Sequence, residues 1–200
     1  MTYWIGAPHV RYARRMNRSA LAALAALVLS AGGIHAQAPL PIPDDGRPVQ
    51  IVRAGDIPPA LREAIGRSGC TFGEVTLATF AILLFRPAPD APPMAIVPCE
   101  GTVLHSRAFL LDGTALSFPV LVFAERLSEI ETPGFFLWDA RTKTLTALQG
   151  NDECDGTVMR HTYRHGGGPS GRFVLTKVER GRLGCGFGEN WVVVWEADRR

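Results

Sequence analysis

Lysine is nearly missing from this chain. Only Lys143 and Lys177 occur, so the 21 basic residues are almost all arginine. Four of these, Arg11, Arg14, Arg15 and Arg18, fall in residues 1–36, which hold no Asp or Glu. Taking those four from 21 leaves 17 basic side chains against 19 acidic ones, a net charge near −2. No basic stripe then remains to meet nucleic-acid phosphates, which demand clustered Lys and Arg. A membrane-length apolar run is missing too. The longest candidate, residues 20–29 (ALAALAALVL), is well short of the roughly 20 residues a span needs. No C-x-x-C pair occurs, so a structural zinc site lacks its usual signature.

The short apolar run has a different meaning. It follows the four arginines and precedes SAGGIHA, which ends at Ala36. Charged, apolar and cleavable regions in that order make residues 1–36 a signal peptide, with the start codon at Met1 or Met16. The protein is therefore expected in the periplasm or secreted. Residues 37–48 are proline-rich and polar and read as a spacer. Residues 49–200 are one domain's worth of chain, long enough to bury a core.

All four cysteines, Cys70, Cys99, Cys154 and Cys185, lie in this part. An even count in an exported chain argues for disulfides. The preferred pairing is Cys70 with Cys99 and Cys154 with Cys185, because each pair brackets one compact β unit. Each closed loop, of 29 and 31 residues, would stabilise the fold by about 3–4 kcal/mol.

The rest of the chain is read from pattern. Residues 49–52 form a short strand. Residues 56–67 give the one convincing helix, with Asp56 as cap, Pro58 and Pro59 in the first turn and Leu61 and Ile65 on one face. Residues 74–85 (EVTLATFAILLF) read as one long central strand. Residues 94–98 and 103–111 follow as strands, the second ended by the turn pair Asp112-Gly113. Residues 115–124 carry Pro119, which suggests an edge. Residues 127–133 are acidic and read as a solvated loop. Residues 135–139 and 144–148 form a hairpin anchored by Trp138 and Leu145. Residues 157–163 and 172–178 form another, and 191–195 a last strand. Hairpins at such short spacing predict an all-β domain, an antiparallel β-meander closed as a sandwich or barrel, with one short N-terminal helix and two disulfides.

From Ile57 to Ala197 the motifs PALREAIGRSGC, Pro98-Cys99, FFLWDARTKTLTAL, NDECDG, RFVLTKVE and the pair Trp191 and Trp195 resemble one family. It is the C-terminal part of a family of exported proteobacterial proteins of unknown function. The resemblance implies a periplasmic, cysteine-bridged β protein. It transfers no catalytic residues.

Candidate chemistry is weighed on what each reaction requires. Asn151, Glu153, Asp155 and Gly156 match the opening of a calcium loop, but Thr162 stands where a bidentate Glu is needed. His161 and His165 lie about 13 Å apart on a strand, too far for one zinc, and read as exposed hairpin residues. His105 has no local partner in sequence. The stretch 166–171 (GGGPSG) lacks the Lys-Ser/Thr of a phosphate cradle, and Ser170 lacks the glycine of a nucleophile elbow. Gly184, Gly186 and Gly188 miss the dinucleotide spacing. No cofactor or metal is expected. Glu125, Glu129 and Glu131, with Asp139, Asp152 and Asp155, would make a hydrolase only if the fold gathered them in a cleft. Trp138, Trp191 and Trp195 are the candidate binding platform, the last two sharing a strand face by their even spacing. Arg164, His165 and Arg172 flank the hairpin loop, the expected contact element. The expected function is non-enzymatic binding of a macromolecule or envelope component; a hydrolase and a small hydrolase inhibitor are the alternatives.

Overall fold

A computed structural model describes residues 41–100, 105–122, 126–150, 156–166, 172–182 and 189–197. The stretch Pro41–Arg200 is one compact unit. Its sheets are antiparallel throughout and largely follow chain order. Strands β1 (Val49–Ile51), β2 (Ile82–Phe85), β3 (Met94–Cys99) and β4 (His105–Leu110) form a four-stranded sheet in that order. Strands β7 (Phe135–Asp139), β8 (Thr144–Gly150), β9 (Thr157–His165), β10 (Phe173–Arg182) and β11 (Glu189–Glu196) form a five-stranded meander. Among the described residues, strands β5 (Phe118–Val122) and β6 (Arg126–Ile130) pair only with each other. The mostly β, antiparallel expectation therefore holds, and Trp138 pairs with Leu145 in the β7–β8 hairpin as expected.

Two elements correct the sequence reading. Residues 74–85 are not one strand: Glu74–Thr79 is a helix, α2, and only Ile82–Phe85 is β. The cause lies outside the segment. The Glu100 carboxylate accepts from the Gly73 N–H (2.8 Å) and from the Thr76 hydroxyl, capping the first turn. Leu77 alone is buried while Val75 is 82% exposed, a one-sided burial that suits a helix and not a central strand. Two α-helices thus occur among the described residues, the other being α1 (Pro59–Arg67). Asp56 does not cap α1; it ends a 3-10 turn (Ala54–Asp56), and Pro58 stands at the N-cap. The second correction is β6, expected as a loop. Its first four residues are exposed, so no burial alternation marks it, but Leu127 pairs with Leu121 and Glu129 with Pro119.

Strand β3 is buried at all six positions and separates two cores. Ala95, Val97 and Cys99 face one, with Leu61, Ala64 and Ile65 of α1, Leu77 of α2, and Ile82 and Leu84 of β2. Met94 and Ile96 face the other, with Phe85, Phe118, Phe136, Leu145, Tyr163, Leu175 and Val178. The four-stranded sheet is therefore covered by helices on one face and packed against the five-stranded sheet on the other. Burying each such Leu or Phe contributes about 1.5–3 kcal/mol.

One disulfide joins Cys70 to Cys99, with Cα atoms 5.1 Å apart, and pins the link between α1 and α2 to the end of β3. Cys154 and Cys185 lie outside the described residues. The stretch expected as a spacer is, from Pro41 on, tied to the domain. Ile42 packs on the helix-side core, Asp44 pairs with Arg86 (2.9 Å), and the Asp45 carbonyl accepts from Lys143. No helix among the described residues is long and apolar enough to cross a membrane.

Candidate functional site

Strand β2 pairs with β3 only from Met94 to Ile96. Beyond that point β3 continues to Pro98, whose missing N–H has no β2 partner to serve. The gap left there becomes a cleft of about 310 Å³. Its floor is Leu83, Ile96 and Pro98; the end of α2 supplies Thr79 and Phe80; β7 supplies Phe135 to Trp138; Gln50 and Val52 close the β1 side. Phe80 meets Phe135 edge-on with ring centres 5.7 Å apart. Phe80 is 41% exposed and Leu137 45%, so apolar surface lies open to solvent there.

The polar atoms of this wall are mostly committed. Trp138 stacks on Phe85 at 4.3 Å, and its indole N–H donates to the Gly46 carbonyl (2.8 Å). The Thr79 hydroxyl donates to the Val75 carbonyl (2.9 Å), and the Ser106 hydroxyl accepts from the Phe136 N–H (3.2 Å). The Gln50 side chain is exposed and has no partner among the described residues. No charged side chain lines the cleft among the described residues. Such a surface suits a neutral, mainly apolar group with one hydrogen-bonding atom toward Gln50.

The three tryptophans do not form one platform. Trp138 lies on edge strand β7 and Trp195 on edge strand β11, four strand spacings or about 19 Å apart across the sheet. Trp191 and Trp195 do not share a face either. Trp195 pairs with Val178 and packs on the core, but the next β10 residue, Glu179, pairs with Val193, so Val194 is an inserted bulge residue. Trp191 therefore falls on the opposite face, against Gly181, with the Arg160 guanidinium 4.1 Å above its ring. Arg160 in turn pairs with Glu179 (2.7 Å), as does Lys177 (2.9 Å). Burial pushes the Glu179 carboxyl up, but those two hydrogen bonds outweigh it and hold it below its ordinary range. This is a satisfied surface network built around a buried carboxylate.

The hairpin-loop candidates stand apart from the cleft residues. Arg164 is exposed at the end of β9. Arg172 is exposed and 4.0 Å from Glu129. His165 is partly buried against the edge of Phe173 (5.5 Å), and burial lowers its imidazole pKa. Residues 167–171 lie outside the described set. So do Glu125 and the calcium-like residues 151–155. The described carboxylates are engaged one by one. Glu131 pairs with Arg107 (2.8 Å), and Asp139 accepts from the backbone N–H groups of Arg141 (2.8 Å) and Thr142 (3.3 Å). Thr142 and Arg141 hold the Asp139 carboxyl below its usual range. No group of three metal-ligating side chains occurs among the described residues.

His161 corrects the sequence reading outright. It was expected exposed and is fully buried, facing the core between Ala147 of β8 and Val178 of β10. Its Nε2 accepts from the Leu121 N–H of β5 (3.3 Å). Burial holds its pKa down at about 4. None of the family models, curated proteins or solved structures compared with this chain matches it.

Proposed function

We propose that this is an exported, periplasmic or secreted, non-enzymatic β domain that binds a macromolecule or envelope component through the uncharged cleft between α2 and β7. The leader pattern of residues 1–36 and the resemblance to exported proteins of unknown function support export. The buried disulfide of Cys70 with Cys99 is consistent with it. A second cross-link, Cys154 with Cys185, belongs to the same reading, because the two cysteines bracket one compact β unit in sequence. The packed pair of sheets favours a sandwich over a closed barrel, because among the described residues β7 and β11 each pair on one side only.

The observation that carries the binding reading is the cleft's composition. Exposed Phe80 and Leu137 flank a hollow with no charged lining among the described residues. Of the carboxylates the hydrolase alternative needs, Glu129, Glu131 and Asp139 are engaged by neighbours and lie outside the cleft lining, and Glu125, Asp152 and Asp155 lie outside the described residues. The test is retention of tagged mature protein on envelope extract resolved into protein, peptidoglycan and lipid fractions. Leu137→Arg, which puts a charge at the rim, should lower retention on one fraction at least about tenfold with thermal stability unchanged, the cost of burying an uncompensated charge. Equal retention of wild type and variant would remove the cleft from the account.

A further inference from the structure

We propose that His161 is a clasp that holds strand β5 against the five-stranded sheet and releases it in acid. Strand β5 pairs with β6 alone, so its other edge has no ladder partner among the described residues. On that edge the Leu121 N–H donates to His161 Nε2 from β9, at 3.3 Å. With Nε2 accepting, the proton of the neutral ring sits on Nδ1. That atom is buried without a hydrogen-bond partner.

Adding a proton reverses the clasp. Nε2 becomes a donor facing the donor N–H of Leu121, and the charged ring finds no acceptor on either side. The surroundings offer no relief. Beside the ring β8 places Ala147 and β10 places Val178, both apolar. Among the described residues the other titratable member of this core is Tyr163, whose hydroxyl is buried, neutral and also without a partner, and Arg126 and Glu129 of β6, behind β5, are exposed. The charged trio Arg160, Glu179 and Lys177 occupies the opposite face of the same sheet. The low imidazole pKa set by burial agrees with this picture. Letting go of Leu121 is the local escape: among the described residues β5 then meets the five-stranded sheet through packing of Phe118, Val120 and Leu121, with its partner β6 reaching Arg172 through Glu129 (4.0 Å).

The test is amide hydrogen exchange by NMR on the mature protein, between about pH 7 and about pH 3, corrected for intrinsic rates. Protection at Leu121 should fall at least about tenfold across the His161 titration, one unit's worth of proton linkage. Ala147 and Tyr163 amides should keep their protection. In His161→Gln, whose side-chain carbonyl accepts the same N–H but does not titrate, Leu121 protection should stay flat. Acid loss of equal size in the variant, or simultaneous loss at Leu121, Ala147 and Tyr163, overturns the clasp. If the variant does not fold, the wild type still decides. The His161 ring and the Leu121 amide chemical shifts must then titrate with one midpoint, and separate midpoints overturn it.

Discussion

The two faces of the four-stranded sheet are secured by different chemistry. On the helix side a covalent bond joins Cys70 to Cys99, and the adjacent Glu100 carboxylate caps α2. Among the described residues the buried polar side chains, Ser106, His161 and Glu179, all lie elsewhere than in that core. On the other side no disulfide occurs among the described residues. Phe118, Phe136, Leu145 and Leu175 pack together there, Ser106 accepts from the Phe136 N–H and His161 from the Leu121 N–H, and two partnerless polar atoms, His161 Nδ1 and the Tyr163 hydroxyl, are sealed in. A core closed by a cross-link needs few polar devices. The other core accepts unpaired polar groups at a cost in stability, and buried groups of that kind mark where a fold responds to its surroundings.

The largest break in this contrast comes from the staple. Replacing Cys70 and Cys99 together by Ala should cost about 3–4 kcal/mol in denaturant unfolding, the value for a loop of this size. Acid should strike the other core. The His161 pKa falls from 6.5 to about 4 on folding, so the unfolded chain takes the proton first. Stability is then intact above about pH 6.5 and declines by about 1.4 kcal/mol per unit toward pH 4. His161→Gln should flatten that slope in a pH series of melts. Tyr163→Phe sharpens the comparison in the opposite direction. It deletes only an unpaired buried hydroxyl and should stabilise by about 1–3 kcal/mol, read as a higher denaturant midpoint. The smallest effect is Glu100→Gln. Thr76 and Gly73 hold the Glu100 carboxyl below its ordinary range. Its help is therefore present at neutral pH and fades as pH falls below about 4.5, through the lowered folded value. Faster exchange confined to residues 74–79, with the global midpoint unchanged, is the expected result.

Much of the sheet scaffold was legible in sequence because it is local. The β7–β8 hairpin follows from alternation and turn residues, and the Trp138–Leu145 pair from their places within it. The failures share one physical cause, interactions from outside the segment. The cap that makes residues 74–79 helical comes from Glu100, far along the chain. Strand β6 has a paired edge but no buried face, so period-two patterning never showed. One bulge at Val194 defeated the even spacing of Trp191 and Trp195. The cleft was invisible for the same reason: Gln50, Phe80, Pro98 and Leu137 come from four separate places in the chain. His161 looked like hairpin surface until β5 covered it.

The two cores on either side of β3 are secured independently, one by a covalent bond and one by an uncharged histidine that holds β5 to β9. A hydrogen-exchange map of the mature protein, taken with reductant at neutral pH and without reductant in acid, tests this independence most directly. Reductant should free amides of α1 and α2 and leave Leu121 protected; acid should free Leu121 and leave the helices protected. One common set of amides lost under both treatments would contradict the account.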